Sequence, residues 1–231
     1  MLWTLRYDSR TMTTKRTYGD GCAIAHGLDL VGERWALLVI RELLLGPKRY
    51  TDVKKGLPNA SPNVISERLR ELEQAGVIRR DKLPPPASAH VYELTDWGRD
   101  LEETVISLGR WATRSPSLPR EAPIGADSVM LALKGRLNPD AADGLHASYE
   151  LRLGEDRFSV AVSDDTVEIA RGRADQPDAT IDTDPATLFA VLWNGRSLPD
   201  AQRAGDISIE GDTAAVERLA RLFAQPEPVG A

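Results

Sequence analysis

Two groups of side chains in this sequence have the types and spacing for chemistry. Cys22 is the only cysteine, and His26 stands four residues on, one turn away if the segment is helical. A thiol at a helix N-terminus feels the positive end of the helix dipole, and a protonated imidazole on the same face lowers its pKa further. Both effects favour reactive thiolate. With no second cysteine, a sensing disulfide must join two chains or capture a small thiol. A free cysteine also packs as a small hydrophobe, and the residues alone leave both readings open.

The second group lies in "SPNVISERLRELEQAGVIRR", from Ser61 to Arg80. Ser61 can cap a helix, Pro62 fits the first position where a missing N–H costs nothing, and Gly76 ends it. Ile65, Leu69, Leu72 and Ala75 then form an inward stripe, leaving Asn63, Ser66, Glu67, Arg68 and Arg70 on other faces. An α-helix fits the major groove of DNA, where polar side chains near its N-terminus reach base edges and nearby cations meet phosphates. Asn63, Ser66 and Glu67, beside Ser61, are the base-facing candidates. Arg49, Lys54, Lys55, Arg68, Arg70, Arg79, Arg80 and Lys82 are the phosphate candidates. The competing reading is a solvated helix face, with Arg68 and Arg70 paired to acids on their own helix.

Around these groups stand 231 residues, 42% hydrophobic and 28% charged, enough for one or two ordinary soluble domains. No apolar run approaches the ~18 residues that span a bilayer, so a cytoplasmic protein without membrane contact is expected. A lone cysteine excludes an internal disulfide and a cysteine-based zinc site. The three histidines, His26, His90 and His146, are scattered, with no zinc spacing, phosphate loop or nucleophile elbow. A non-enzyme without metal or cofactor is expected. Residues 1–114 carry 18 Lys+Arg against 15 Asp+Glu, and residues 115–231 carry 11 against 20, which suggests two domains with different partners.

The elements that must position the first half follow from its patterning. Leu28, Val31, Trp35, Leu38, Val39 and Leu43 have helical spacing with a break at Gly32 and Glu33. "GPK" stops the second helix, and a short helix follows from a cap near Thr51 to Gly56. After the reading helix, "VIRRDKL" and "HVYEL" are β-prone runs on either side of three prolines, so a hairpin wing is expected whose tip lies near the minor groove or backbone, with Lys82 and His90 as contacts. The whole is a winged helix-turn-helix. "DWGRDLEETVISLGRWATRS" closes it with a helix whose face carries Leu101, Val105, Leu108 and Trp111.

These motifs, from "CAIAHGLDLVGERW" through "RELLLGPKRYTDVKKGL" and "ISERLRELEQAGVIRR" to "YELTDWGRDLE", resemble the HxlR-type bacterial transcription regulators over about ninety residues. Ala23 stands where a proline usually follows the cysteine, and Arg34 where lysine is frequent. The resemblance implies a dimer built by the first and last helices of the domain, reading a palindromic operator with half-sites ~34 Å apart. It also implies, for some members, sensing of oxidants or electrophiles through the cysteine at the position of Cys22.

In the second half, "LHASYELRL", "RFSVAVS", "TVEIARG" and "DATIDTD" alternate as half-buried strands, and an antiparallel sheet is expected. Helices "DPATLFAVLWNG", "SLPDAQRAG" and "DTAAVERLARLFAQ" follow, with the strand "DISIEG" before the last. This order, clearest over residues 179–223, resembles the sterol carrier protein domain, in which sheet and helices enclose an apolar tunnel. On that resemblance the lining candidates are Leu188, Phe189, Leu192, Trp193, Leu198, Val216, Leu219 and Phe223. Each also fits a dry core.

The expected class is thus α+β: a winged helix-turn-helix domain at 21–114 and a sandwich-like domain at 126–225 with helices covering an antiparallel sheet. Residues 1–20 read as a tail in which Met12 is as good a start as Met1, 115–125 as a linker, and 226–231 as a second tail. The expected function is a dimeric DNA-binding transcription regulator, a repressor, whose second domain senses a hydrophobic small molecule or lipid. The alternative is a lipid carrier whose helical domain does not bind DNA.

Overall fold

The computed structural model describes residues 17–83, 89–142, 144–164, 166–223 and 229. Helices α1 (Ala23–Val31) and α2 (Ala36–Leu43) break at the expected joint, where Trp35 takes a left-handed backbone with φ 80°. Helix α3 (Tyr50–Gly56) starts a residue before the cap expected at Thr51: Arg49 is the N-cap, and the Asp52 carboxylate accepts its backbone N–H at 3.2 Å. The acid at the third helical position thus reaches back to the N-cap N–H, where a threonine hydroxyl capping the first-turn N–H groups was expected. Helix α4 (Pro62–Gln74) is capped as read, with Ser61 Oγ accepting the Val64 N–H at 3.3 Å.

Ile65, Leu69 and Leu72 of α4 bury against Val39, Ile40 and Leu43 of α2. Strands β1 (Ile78–Lys82) and β2 (His90–Leu94) pair antiparallel, Lys82 opposite His90, and roof the same core through Ile78 and Leu94. The hairpin tip with its three prolines falls outside the described residues. Helices α5 (Asp96–Arg99) and α6 (Leu101–Thr113) return beneath the hairpin. Gly98 allows that return, since a Cβ there would lie 2.0 Å from the Val77 carbonyl oxygen.

The second domain opens with an element that the patterning did not reveal, helix α7 (Ala126–Arg136), then a single turn, α8 (Pro139–Ala142). Val129, Met130, Leu131 and Leu133 of α7 are all buried, because the helix is packed between α6, α9 and the sheet. A helix buried on several sides has no polar stripe to betray its period. Strands β3 (His146–Leu153), β4 (Asp156–Ser163), β5 (Thr166–Arg171), β6 (Ala179–Thr183) and β7 (Ile207–Gly211) form one sheet in the order β5-β4-β3-β6-β7.

That sheet is mixed rather than antiparallel throughout: β3 and β6 run parallel. Since β4 holds one edge of β3, the chain leaving β5 crosses to the other edge, where Asp178 fixes the entry to β6. Its backbone N–H donates to the Ser148 carbonyl at 2.8 Å and its carboxylate accepts the Ser148 N–H at 2.8 Å. Helices α9 (Pro185–Trp193), α10 (Leu198–Ala204) and α11 (Thr213–Arg221) follow, each capped by an Asp or Ser side chain, at Asp184, Ser197 and Asp212. The described helices and the sheet share one core, with Tyr149, Leu151, Phe158 and Ile181 fully buried.

A chain of buried charges joins the domains. Lys48 Nζ donates to Glu42 Oε2 at 2.6 Å and to Asp127 Oδ2 at 2.5 Å; Arg41 supports Glu42 at 2.5 Å, and Arg171 of β5 supports Asp127. Glu42 and Asp127 are only 2% and 5% exposed. Gly56 makes room, because a Cβ there would lie 1.9 Å from Glu42 Oε2. Helices α6 and α7 add Lys134 to Glu102 at 2.5 Å, Arg110 Nε to the Gly135 carbonyl at 3.0 Å and Arg136 to the Thr113 hydroxyl at 3.0 Å.

Candidate nucleic-acid interface

Helix α4 buries one stripe and leaves the N-terminal part of its opposite side exposed. Ser61, Asn63, Ser66, Glu67 and Arg70 all lie on that open surface. Helix α3 is pinned beneath it by the Tyr50 hydroxyl, which donates to the Pro62 carbonyl at 3.0 Å. Several of the named side chains have protein partners: Ser61 caps the helix, and Ser66 Oγ donates to the Tyr50 hydroxyl at 3.5 Å. Glu67 meets Arg68 at 3.2 Å, and Arg68 is buried, held also by Glu71 at 2.5 Å and Glu33 at 3.7 Å. Arg68 thus serves the helix joint rather than an outer phosphate-facing surface, as its helix-face reading implied.

The remaining cations surround α4 unevenly. Arg49 is exposed at the start of α3, and Lys54 donates to the Pro58 carbonyl at 3.0 Å. Lys55 is turned to the second domain, where it pairs with Glu155. On the hairpin, Arg79 pairs with Glu93 at 2.7 Å, while Arg80, Lys82 and His90 share the other face of the two strands and are exposed. Strand alternation and register place these three together at the wing.

Cys22 is the N-cap of α1 and is exposed. Its thiol pKa is lowered, first by the backbone N–H of Ala25 and then by that of Ile24. The helix end supplies this effect; His26, expected to assist, is not among its causes. Ile24 and Leu28 of α1 are exposed, and so are Leu108 and Trp111 of α6, Ile24 by 75% and Trp111 by 73%. The stripe expected on α6 is split: Leu101 and Val105 pack on the first core, and Leu108 and Trp111 face outward.

In the second domain Leu188, Leu192, Trp193, Leu198, Val216, Leu219 and Phe223 are brought together, but as packed core. Of the eight lining candidates, Phe189 borders a large cavity. That cavity, about 1270 Å³, lies between the domains and is lined by α2, α6, the 114–125 connection, α7 and α9. Arg136 borders it, with its guanidinium 4.4 Å over the Trp193 ring and 5.9 Å over Phe189. Burial, with Arg120 nearby, lowers its pKa to about 10. No sequence spacing connects Arg136 to the connection or to α9, so this site was not foreseen.

Two helices joined by a tight turn, the second with an open polar face, and an antiparallel wing carrying cations define a winged helix-turn-helix protein of the DNA-binding class. The family model for HxlR-like helix-turn-helix proteins matches residues 30–118, and that for alkyl sulfatase C-terminal domains matches residues 126–229. For the second half it is this description, rather than the sterol carrier one, that the match supplies. An uncharacterized helix-turn-helix regulator of Bacillus subtilis, YvaP, is 40% identical over 86 residues, covering 37% of this chain and 80% of YvaP. The regulator YodB of the same species is 36% identical over 84 residues, covering 36% of this chain and 75% of YodB. A structure of reduced YodB aligns at TM-score 0.38 and 32% identity over 42% of this chain and 95% of that one. The chain belongs to the HxlR-like family, and its first domain is that of a DNA-binding helix-turn-helix transcription regulator.

No helix among the described residues is long and apolar enough to cross a membrane, and none of their His, Cys, Asp and Glu clusters could hold a metal ion.

Proposed function

We propose that the protein is a dimeric repressor that reads a palindromic operator with α4 and responds to a hydrophobic small molecule through its second domain. The observation that carries the reading is the open N-terminal face of α4, with Asn63, Ser66 and Glu67 exposed on a helix whose opposite stripe is locked in the core. Arg49 and Arg70 stand beside it, and Arg80 and Lys82 extend the cationic surface along the wing, with His90 on the same face. Exposed Ile24 and Leu28 on α1, and Leu108 and Trp111 on α6, are apolar side chains of the kind that a twofold dimer buries. One structure of the relative YodB is described as quinone-bound, so a small-molecule effector fits the reading.

Fluorescence anisotropy tests it, with a labelled DNA fragment from upstream of the coding sequence and an unrelated fragment of equal length. Tight binding to the first, weakening steeply with salt, is expected. The absence of any salt-sensitive binding would remove the regulator reading. Transcription in vitro from that promoter should fall on addition of the protein; a rise would replace repressor by activator.

A further inference from the structure

We propose that the cleft between the two domains binds an amphipathic organic anion, a single carboxylate or similar oxyanion on an apolar body, with its head at Arg136, Arg110 and Arg120. The proposal gives a location and a ligand class to the effector of the regulator reading and in that respect rests on it; the binding itself requires no DNA.

Six cations border the cleft, Arg41, Lys55, Arg110, Arg120, Arg136 and Arg196, against one carboxylate, Glu121, in a protein whose net charge is −6. Three of the six are neutralised, Arg41 by Glu42, Lys55 by Glu155 and Arg196 by Asp206. The other three form no ion pair among the described residues. They gather at one end: Arg110 donates to the carbonyl of Gly135, the residue before Arg136, and Arg120 is close enough to Arg136 to depress its pKa.

Arg136 is the least ordinary of them. A guanidinium has five N–H donors, and among the described residues one hydrogen bond is made, to the Thr113 hydroxyl. Its flat face is held by Trp193 and Phe189, which fixes the plane of the fork and leaves its edge for a ligand. A planar oxyanion is the partner that such an edge accepts through two parallel hydrogen bonds. Leu38, Leu118, Ile124, Leu131 and Phe189 give the cleft apolar walls drawn from both domains and the connection between them. Concave sites with mostly apolar walls and a few convergent polar groups are where small ligands bind.

Decanoate and decan-1-ol are matched probes for the head, since they share the chain and differ in charge. Isothermal titration of the full-length protein, without DNA and below the micellar concentration, should show decanoate binding and decan-1-ol binding weaker by about tenfold or more. Arg136→Gln should weaken decanoate by a similar factor. Because Arg136 also packs on Trp193, circular dichroism checks that variant. If it is misfolded, Arg120→Gln becomes the deciding variant, an exposed position on the connection where a loss of about two- to fivefold is expected. Equal affinities for acid and alcohol, no decanoate binding, or unchanged affinity in the deciding variant would each overturn the proposal. Failure of the DNA measurement with the ligand-free protein would instead sink the regulator reading and leave the cleft standing.

Discussion

Lys48→Met would remove the cation at the centre of the buried chain that joins the domains. Glu42 and Asp127 would then face each other across the space left by Nζ, each with one arginine, Arg41 or Arg171, on its outer side. Removing one partner of a buried ion pair costs about 3–5 kcal/mol, because the remaining charge keeps its desolvation penalty and loses its compensation. For a chain of this size that corresponds to a fall in Tm of about 6–20 °C. Since the broken contact lies between domains, the melt should also separate into two transitions.

The pH dependence gives a second reading of the same variant. Burial raises the pKa of Asp127 above its ordinary 3.8, while Lys48 and then Arg171 pull it down. A carboxyl whose folded pKa is raised contributes stability that is full below its unfolded value and is lost as pH rises through the folded one. Without Lys48 the folded pKa goes higher still, so the deficit of the variant should shrink as pH is lowered towards 3.8 and widen above it. Differential scanning calorimetry and urea unfolding across that range measure both effects. A deficit under about 1 kcal/mol, or one indifferent to pH, would refute the reasoning that this network holds the domains together.

Asn63→Ala should weaken operator binding by about 1–3 kcal/mol and leave binding to unrelated DNA unchanged; an equal loss on both would move Asn63 from base reading to backbone contact. Arg70→Ala should lower affinity for all fragments alike and flatten the salt slope by about one unit, which anisotropy titrations at several salt concentrations would resolve. Trp111→Glu places a charge on the exposed face of α6 and should convert a dimer to monomer by light scattering, and a persistent dimer would locate the seam elsewhere. Alkylation of Cys22 by iodoacetamide should reach half its limiting rate at a pH below that of a free cysteine peptide, because the α1 backbone N–H groups lower the thiol pKa.

The first domain was readable because each of its helices keeps a stripe and a stop. Ser61, Pro62 and Gly76 delimit α4 by local chemistry, and Ile65, Leu69 and Leu72 at helical spacing assign its inner face. The second domain was readable in its alternating strands and in the later helices α9, α10 and α11, which local caps delimit. Helix α7, covered on several sides, has no solvent face to mark its period, and the parallel pairing of β3 with β6 depends on which edge of β3 was left open, a tertiary fact. The polar groups that meet between domains were illegible for the same reason. Glu42, Lys48, Asp127 and Arg171 are separated by up to 79 residues within single hydrogen bonds, and each alone reads as an ordinary surface charge. Phe189 shows the limit from the other side: its apolar character was plain, but only packing distinguishes a wall of the cleft from a member of the core.

Helix α6 belongs at once to three surfaces. Its inner side packs on the first domain, its outer side carries Leu108 and Trp111, and a third side is tied to α7 through Glu102, Arg110 and Thr113. Thirteen residues make a rod about 20 Å long. A tilt of about 5° imposed on such a rod at the α7 side moves its far end by about 2 Å. The second domain therefore sits with its hand on a lever, and an adjustment within its own packing need not reach α4 through the winged domain's core. In the dimer proposed above, it would alter the separation of two reading heads instead of the shape of either.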